Sequence, residues 1–393
     1  MRILLVPPND WLSHPLSSRH HFIFERLARS NQVHVLNFRI GRFGGKQLRS
    51  TATRLHEATF FPTNGLSAYY VLNAPYHYKK IGEIIKKNDI EVVVTSNILA
   101  SYIACVVSRR NRIPIVYDYS DHFPASASIY YRNAGAKTLV KNVVEVLVKQ
   151  NLAYADKVVV PSKSLEKMML TKYKMCYNKL SIIPNGVDLK IFKPRNRIDA
   201  LETIRRLELQ DYLLIVFVGS IESRFDLETP IVIVNKLATE GMKVKFLIVG
   251  PELSKYHFYL KSKYCKSLGI EFIGYVDNEL VPFYINAADI CIAPYRVIQM
   301  NFSITLKLLE YLASGKTTFI TDIPDARKIF GKNLVIYQDS NDLKEKILDV
   351  QRSKSEYYSF NTKESSELVS QYSWDRIAAS YERLLENLVG VHS

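Results

Sequence analysis

The stretch NFSITLKLLEYLASGK, Asn301 to Lys316, predicts a helix that joins two buried strands, which is typical of an α/β fold. Ser303 and Thr305 are candidate N-caps, and Gly315 is a candidate helix stop. The run DICIAP precedes the stretch and TTFI follows it, and both have the composition of buried strands. The apolar helix positions are Leu306, Leu308, Leu309 and Leu312.

Lys307 and Glu310 stand three residues apart, on one face of the predicted helix. A helix N-terminus that carries a cation and a carboxylate suits a sugar diphosphate. The amides and Lys307 would then contact phosphate, and Glu310 would accept hydrogen bonds from hydroxyl groups. The alternative is an ordinary amphipathic helix with a surface Lys–Glu pair. This stretch favours neither interpretation by itself.

Composition indicates a soluble globular protein of two domains. A chain of 393 residues is long for a single core, and its 47% hydrophobic and 23% charged residues are ordinary for a globular chain. Four scattered cysteines, without metal-binding spacing, indicate thiols in a reducing compartment. Met1 leads straight into a strand, and the uncharged run 92–108 is explained by a strand and a buried helix. We therefore expect a cytoplasmic protein without a signal peptide.

The net charge of +15 is concentrated in the first half of the chain. Residues 1–190 contain 27 Lys and Arg against 12 Asp and Glu, out of 53 and 38 in the whole chain. This asymmetry indicates an anionic partner for the first half, such as a membrane surface, a lipid-linked phosphate or nucleic acid. The helix predicted at 137–150 is basic and amphipathic and could rest on lipid headgroups, although packing on a sheet is the commoner explanation. A solvated basic face is the alternative for the charge as a whole.

The first half begins with a strand, a helix and a second strand, as in a Rossmann-like βαβ unit. The strands are predicted at 2–7 and 33–38 and the helix at 19–29, while residues 39–78 are predicted to be loops and an irregular crossover. The Gly-rich fingerprint of dinucleotide-binding proteins is absent, which disfavours a dinucleotide cofactor. Arg19 and His20, at the start of the helix, either face an anionic ligand or are polar groups of its surface.

Polar residues follow the strand predicted at 113–117. Asp118, Asp121 and His122 stand just beyond its carboxyl end, where open α/β sheets place their ligands. We interpret all three as catalytic candidates and favour Asp121 or His122, and the alternative is turn chemistry before Pro124. The Asp-x-x-Asp spacing differs from the Asp-x-Asp of metal-dependent sugar transferases, so no metal is expected.

The turn PNGVD, residues 184–188, predicts a hinge into a second Rossmann-like domain. The strand LLIVFV, residues 213–218, leads into Gly219, which would let a ligand approach the backbone. Arg224 follows and could clamp phosphate oxygens. Two consecutive βα halves predict two Rossmann-like domains that face each other across a cleft. The last strand is predicted at 334–337, and after a polar linker a terminal amphipathic helix begins near Tyr372.

The order of the motifs resembles that of the family 4 glycosyltransferases of the GT-B fold. The motifs span most of the chain and are, in order, PNGVD, FVGSIESR, FIGYV, DICIAPY, LKLLEYLASGK and YSWDRIA. The resemblance implies an acceptor-binding domain at residues 1–190 and a nucleotide-sugar-binding domain at 191–371. The helix 372–393 would cross back to the first domain.

The resemblance also implies roles for individual residues. Arg224 and Lys307 resemble the basic pair on the donor diphosphate, and Glu310 resembles the carboxylate on the ribose hydroxyls. The remaining donor-side positions are Gly219, Ser220, Tyr275, Val276, Tyr295, Phe302, Ser303, Ile304 and Thr305. The acceptor side would include Trp11, Arg19 and His20.

The sequence departs from the family pattern at two donor-side positions and in one loop. The family's Glu-x7-Glu would require Glu at position 302, where this chain has Phe302, and Ser220 stands where an Arg is common. The Gly-rich donor-side loop is also missing. The first departure leaves the sugar of the donor open.

The predicted function is transfer of a sugar from a UDP- or GDP-sugar to a hydroxyl of a glycan or lipid-linked acceptor. The expected mechanism is metal-independent and retaining, without a cofactor, in assembly of cell-surface or glycoprotein glycans. The enzyme would be cytoplasmic, with peripheral attachment to an anionic membrane through the basic half. The alternatives are a sugar-nucleotide epimerase of the same shape and a basic nucleic-acid-binding protein. No nucleic-acid-binding motif is recognisable, which disfavours the second.

Overall fold

The computed structural model describes residues 1–14, 17–41, 49–128, 133–252, 254–296, 304–352 and 367–392. The chain forms two compact units. The first unit combines Met1–Pro184 with Trp374–Ser393, and the second is Asn185–Ser373.

Parallel strands form the central sheet of the first unit, in the order β3-β2-β1-β4-β5-β6-β7. Strands β1, β4, β5 and β6 are almost wholly apolar and buried, as expected of a sheet covered by helices on both faces. The strands are β1 (Arg2–Val6), β2 (Gln32–Asn37), β3 (Arg54–Glu57), β4 (Val92–Thr95), β5 (Ile115–Asp118), β6 (Lys157–Val160) and β7 (Leu180–Ile182). The helices are α1 (Arg19–Leu27), α2 (Leu66–Leu72), α3 (Ala74–Lys87), α4 (Leu99–Arg110), α5 (Phe123–Ser128), α6 (Ala134–Tyr154) and α7 (Lys163–Thr171).

The second unit repeats this plan with parallel strands in the order β10-β9-β8-β11-β12-β13. Its strands are β8 (Leu213–Val218), β9 (Val244–Val249), β10 (Ile270–Gly274), β11 (Ile290–Ala293), β12 (Thr317–Thr321) and β13 (Leu334–Tyr337). Its helices are α8 (Arg197–Thr203), α9 (Glu228–Thr239), α10 (Lys255–Tyr264), α11 (Val281–Ala287), α12 (Leu306–Ala313), α13 (Pro324–Phe330) and α14 (Ser340–Arg352). The α/β class with two Rossmann-like sheets is therefore confirmed.

The register of the second sheet brings the carboxyl ends of three strands together. Strands β8 and β9 pair from Leu213 opposite Val244 to Val218 opposite Val249. The residues after them, Gly219 and Gly250, therefore leave the sheet at the same level. Strand β11 runs on the other side of β8.

The terminal helix α15 (Trp374–His392) packs on α1 within the first unit. The Trp374 ring stacks on that of Phe22 with centroids 4.9 Å apart, and Arg26 Nε donates to Asp375 Oδ1 at 2.7 Å. No helix in the described part of the chain has the length and apolar character needed to cross a bilayer.

The division between the units lies at Pro184, before the boundary predicted at residue 190. Hydrogen bonds explain the difference. Asn185 Nδ2 donates to Ile304 O at 2.8 Å, and the Val187 amide donates to Tyr372 O at 2.8 Å. The turn PNGVD therefore already belongs to the second unit.

Two regions predicted to lack regular structure contain it. Residues 39–78, predicted as loops, contain β3 and α2. Strand β3 has the sequence RLHE, which shows no clean apolar alternation because the strand lies at the sheet edge beside β2. The segment after β13, predicted as a polar linker, contains α14, which buries Leu343, Ile347 and Val350 at helical spacing.

Candidate functional site

Glycines build the carboxyl edge of the second sheet. The Gly219 amide donates to Val249 O, and the Gly250 amide donates to Gly274 O, each at 2.9 Å. A β-carbon at position 250 would clash with Gly219 O, and Gly219 has φ +128°, a conformation that favours glycine. The backbones therefore approach closely here and leave the edge open to a ligand.

Lys307 extends from the first turn of α12 to the end of β8. Its Nζ lies 3.7 Å from the ring centroid of Phe225 and 4.3 Å from that of Phe217. A β-carbon at position 219 would lie 3.0 Å from the same Nζ. The ammonium group is thus held between aromatic faces, which favour a cation, and the glycine edge.

Burial makes the Lys307 charge costly in the absence of an anion. Desolvation, together with the positive charge of Arg224, holds the pKa of Lys307 well below its usual range. The carboxylates of Glu310 and Glu222 oppose this shift only in part. A phosphate anion would restore the balance, since an opposite charge favours the protonated amine.

Arg224 lies in the loop after β8, beside Ser220 and Glu222. Its Nε lies 3.0 Å from Glu222 Oε2, and one of its terminal nitrogens donates to Ser220 Oγ at 3.3 Å. About a third of each side chain of the Arg224–Glu222 pair is exposed (33% and 37%). The guanidinium is therefore oriented and retains donors for an anion.

Glu310 lies one helical turn after Lys307. Burial raises the pKa of Glu310 to about 7, although the charge of Lys307 opposes this. Within the described residues, no hydrogen bond or ion pair reaches its carboxylate. A half-buried carboxylate without partners is suited to accept hydrogen bonds from ligand hydroxyls.

The N-terminus of α12 is fixed by Tyr295 and Thr305. Thr305 is the N-cap residue, as predicted, but its hydroxyl bonds to the Tyr295 hydroxyl and not to the helix amides. Tyr295, predicted to contact the donor, is almost fully buried and instead holds Thr305 through its hydroxyl. Ile304 is also buried, and its carbonyl accepts from Asn185. Among the described residues, no side chain therefore caps the first amides of α12.

Tyr275 and Val276 follow β10 at the same sheet edge. The Tyr275 side chain is half exposed, and Val276 packs on the core. Phe302 and Ser303, also predicted to contact the donor, lie outside the described residues.

On the first unit, Asp121 and His122 lie in the loop after β5. Asp121 accepts hydrogen bonds from the His122 amide and from Ser126 Oγ, so it organises the start of α5. The Tyr119 hydroxyl lies 3.0 Å from His122 Nδ1. Burial and the charge of Lys172 lower the pKa of His122, which keeps the ring neutral near pH 7. A neutral imidazole is the form that accepts a proton.

The three residues expected on the acceptor side are buried. Trp11 has no exposed area and stacks on His21 with ring centroids 4.0 Å apart. Arg19 and His20 are 5% and 1% exposed, and both face the carboxylate of Asp118. These side chains would contact an acceptor only after a local rearrangement, and their role stays a prediction.

Several contributors to the site were not predicted from the sequence. Glu222 was noted only as part of the motif FVGSIESR, although its carboxylate pairs with Arg224. Phe217 and Phe225 carry no signal of contact with an ammonium group, because one lies inside an apolar strand. Nothing in the sequence indicates that the backbone at Gly250 approaches Gly219 O. Phe217 lies within β8, Glu222 and Phe225 lie in the loop after it, and Gly250 directly follows β9.

Comparisons with known proteins agree with this architecture. Residues 23–191 match the profile described as Glycosyltransferase Family 4, and residues 213–353 match that of Glycosyl transferases group 1. The putative teichuronic acid biosynthesis glycosyltransferase TuaH of Bacillus subtilis is 24% identical over 216 residues, 55% of this chain and 52% of TuaH. The match thus spans about half the length of TuaH.

A second relative matches over more of the chain. The phosphatidylinositol N-acetylglucosaminyltransferase GPI3 subunit of Saccharomyces cerevisiae is 20% identical over 84% of this chain and 73% of its own length. Among solved structures, sucrose-phosphate synthase from Thermosynechococcus elongatus has a TM-score of 0.82 at 16% identity, with full coverage of both chains. Anabaena Alr3699/HepE in complex with UDP-glucose has a TM-score of 0.73 at 15% identity, over 98% of this chain and 100% of HepE. These structures share the GT-B fold with this protein.

Proposed function

Because this chain belongs to the family 4-like, group 1 glycosyltransferases, we propose that it transfers a sugar from a nucleotide-sugar donor to a hydroxyl group of a glycan or lipid-linked acceptor. The observation that carries the proposal is the cluster of Arg224, Lys307 and Glu310 at the carboxyl end of β8. Two cations beside free helix amides suit a diphosphate, and the carboxylate one turn away suits ribose hydroxyls.

The donor we propose is a UDP-sugar, with a GDP-sugar as the second candidate. The Anabaena HepE structure, which has the same fold, contains UDP-glucose, and this supports a uridine donor. Tyr275, which is half exposed and follows Gly274, is the residue that we propose to contact the base. Phe302 stands in place of the carboxylate that the family pattern expects, so the donor sugar is open to a screen.

The proposed reaction is metal-independent and proceeds with retention, by attack of an acceptor hydroxyl on the face that the diphosphate leaves. The sugar–oxygen bond to the diphosphate breaks as the bond to the acceptor forms, and the hydroxyl proton passes to the leaving phosphate. Arg224, Lys307 and the first amides of α12 stabilise the developing negative charge. His122 and Asp121 are proposed to act on the acceptor side.

We also propose that the enzyme works on the cytoplasmic face of a membrane that it binds peripherally. Helix α6 exposes Leu139 (65%), Val143 (52%) and Val146 (58%), which lie on one face at helical spacing. Lys137 and Lys141 are exposed on the same helix. An apolar stripe with lysines nearby suits an anionic lipid surface. This location agrees with a lipid-linked acceptor.

A donor screen tests the proposed function directly. Thermal unfolding would be recorded with UDP, GDP, UDP-glucose, UDP-N-acetylglucosamine and GDP-mannose, with and without EDTA. We expect stabilisation by one nucleotide class that EDTA does not remove. Arg224→Ala with Lys307→Ala should abolish it, whereas the exposed Lys328→Ala should not. Wild-type protein that binds none of these compounds would contradict the proposal.

Membrane attachment requires a separate test by vesicle sedimentation. We expect the wild type to sediment with phosphatidylglycerol vesicles and to remain in the supernatant with phosphatidylcholine vesicles. Replacement of Leu139, Val143 and Val146 by Gln should weaken binding at least tenfold. Replacement of Phe60 and Phe61 by Gln is the control, because these exposed apolar residues lie outside α6. It should leave vesicle binding unchanged. Equal binding to both kinds of vesicle would contradict an electrostatic attachment.

A further inference from the structure

The first unit contains a buried polar cluster that the transfer mechanism above does not use. Asp118, the last residue of β5, has no exposed area. The hydroxyl of Tyr381, on α15, donates to its Oδ2 at 3.2 Å. Arg19 Nε and His20 Nε2, both on α1, lie 3.5 Å and 3.4 Å from the same oxygen. One carboxylate oxygen thus joins β5, α1 and α15.

The cluster is held in its ionised form. Burial alone would raise the pKa of Asp118, but the charge of Arg19 and the contacts from His20 and Tyr381 outweigh it, so this pKa lies below its usual value. Burial and the neighbouring carboxylate raise the pKa of Tyr381 well above its usual range. The Tyr381 hydroxyl therefore keeps its proton and remains a donor.

Hydrogen bonding at Asp118 is sparse. Within the described residues, its Oδ1 and the two ring nitrogens of His20 are buried without a hydrogen-bond partner. Loss of the Tyr381 hydroxyl would leave Oδ2 with only the longer contacts to Arg19 Nε and His20 Nε2. A buried carboxylate deprived of its hydrogen bond is strongly destabilised and tends to reorient.

Reorientation of Asp118 would act on the loop that carries the acceptor-side candidates. The Asp118 carbonyl accepts from Ser96 Oγ at 2.8 Å, and the next residue, Tyr119, donates its amide to Val159 O at 2.8 Å. The Tyr119 hydroxyl in turn meets His122 Nδ1. Asp118 is covalently joined to Tyr119, and the Tyr119 side chain bonds to His122. A shift of Asp118 would therefore be transmitted to His122.

We infer that Tyr381 is a positioning residue for the glycosyl transfer, which acts through Asp118 on the loop 119–122. The terminal helix thereby helps to set the geometry of the acceptor side. This inference rests on the proposed acceptor-side role of that loop. The simpler interpretation is that the hydrogen bond only anchors α15 to the first unit.

Hydrogen exchange in the full chain distinguishes the two interpretations without any substrate. Tyr381→Phe keeps the ring, which packs edge-on against Phe24 with centroids 5.5 Å apart, and removes only the hydroxyl. We expect exchange of the amides of residues 119–125 to rise about tenfold. Trp374→Phe, which perturbs the stack on Phe22, is the matched control and should loosen α15 alone. A rise confined to residues 374–392, or no change, in Tyr381→Phe would overturn the inference.

Kinetics give the second readout, with the donor identified by the screen above. Tyr381→Phe should lower kcat for transfer about tenfold while the KM for the donor and the affinity for its nucleotide stay unchanged. Trp374→Phe should lower the melting temperature and keep kcat. Unchanged kcat in Tyr381→Phe would also overturn the inference. Absence of transfer by the wild type would instead contradict the proposed function, and the exchange result would still stand by itself.

Discussion

Lys307 and Glu310 are opposite charges one helical turn apart, yet burial drives both toward neutrality. The pKa of Lys307 is well below its usual range, and that of Glu310 is raised to about 7. An exposed Lys–Glu pair at this spacing would show neither shift to this extent. The surface-pair alternative raised by the sequence therefore does not describe these residues. Both shifts are those expected of a site in which a ligand supplies the partners of these two side chains.

Replacement of Lys307 by Met should remove nucleotide binding without destabilising the fold. Methionine fills a similar volume between Phe217 and Phe225 and removes a cation that is costly to bury. We expect at least a tenfold loss of affinity for the nucleotide diphosphate, by titration calorimetry, and a melting temperature equal to or above that of the wild type. Lys328→Met, at an exposed position, is the control. Wild-type affinity in Lys307→Met would contradict the site.

The contribution of Glu310 to nucleotide affinity should increase as the pH rises from 6 to 8. Glu310 ionises over this range because burial raises its pKa to about 7, and only the ionised form offers all its lone pairs to ribose hydroxyls. We expect the ratio of wild-type affinity to that of Glu310→Gln, measured by titration calorimetry, to rise by up to about tenfold, because Lys307 is common to both proteins and cancels in the ratio.

The same pKa has a consequence for stability. Because the folded-state pKa lies above the ordinary value of 4.5, the contribution of Glu310 is greatest at low pH and declines as the pH rises from 4.5 through 7. The free energy of unfolding would be measured against pH for the wild type and for Glu310→Gln. The difference between the two curves isolates the contribution of Glu310. An increase with pH in this difference would show that the carboxylate has an unpredicted partner.

At the scale of elements, the site is the meeting of strand ends with one helix. The residues that directly follow β8 and β9 are Gly219 and Gly250, so neither strand ends in a side chain at this edge. The first turn of α12 lies at the same edge, through Lys307. The Val218 amide, at the end of β8, donates to the Tyr311 hydroxyl of α12 at 2.9 Å. Helix and strand end are thus tied by a buried hydrogen bond.

Alanine at position 219 should damage binding more than its backbone strain explains. Gly219 has φ +128° and a β-carbon there would press on Lys307, whereas Gly241 has φ +91° with no atom within 4 Å of its β-carbon. Both substitutions should cost about 1–3 kcal/mol in the free energy of unfolding. Only Gly219→Ala should also weaken nucleotide binding, as measured by calorimetry. Equal binding by both variants would contradict the contact.

Helices and strands could be predicted from the sequence where burial requires a continuous run of apolar residues. Strand β8 was predicted with the bounds that the structure shows, since its six consecutive positions are apolar and buried. Edge strand β3 was missed because its exposed positions carry no apolar alternation. Helix α14 was missed because its many charges conceal its apolar stripe.

At the scale of the whole molecule, each unit has its own sheet, and the residues proposed to bind the donor all belong to the second unit. Nucleotide should therefore protect amides of the second unit against hydrogen exchange and leave those of the first unit unchanged. We expect protection at residues 217–225, 274–276 and 304–312, measured in the full chain with saturating UDP or GDP. Protection confined to the loop 119–122 would contradict this assignment.

Candidate site residues were predictable in part, by their position after strands. Lys307 and Arg224 could be identified because a strand end next to a helix start defines where ligands bind in such sheets. The cluster around Asp118 could not, because Tyr381 lies 263 positions away and a tyrosine on an apolar helix stripe has the pattern of an ordinary core residue. Pairings over such distances depend on tertiary packing, which a single sequence does not display.

The return of α15 to the first unit also bears on synthesis at the ribosome. The partner of the Asp118 carboxylate, Tyr381, is translated only after all of Asn185–Ser373. During elongation, Phe22 and Asp118 therefore lack their contacts with Trp374 and Tyr381 of α15. At that stage the second unit is already available to fold. We expect the nascent first unit to be the one that engages chaperones, although it is the first to emerge.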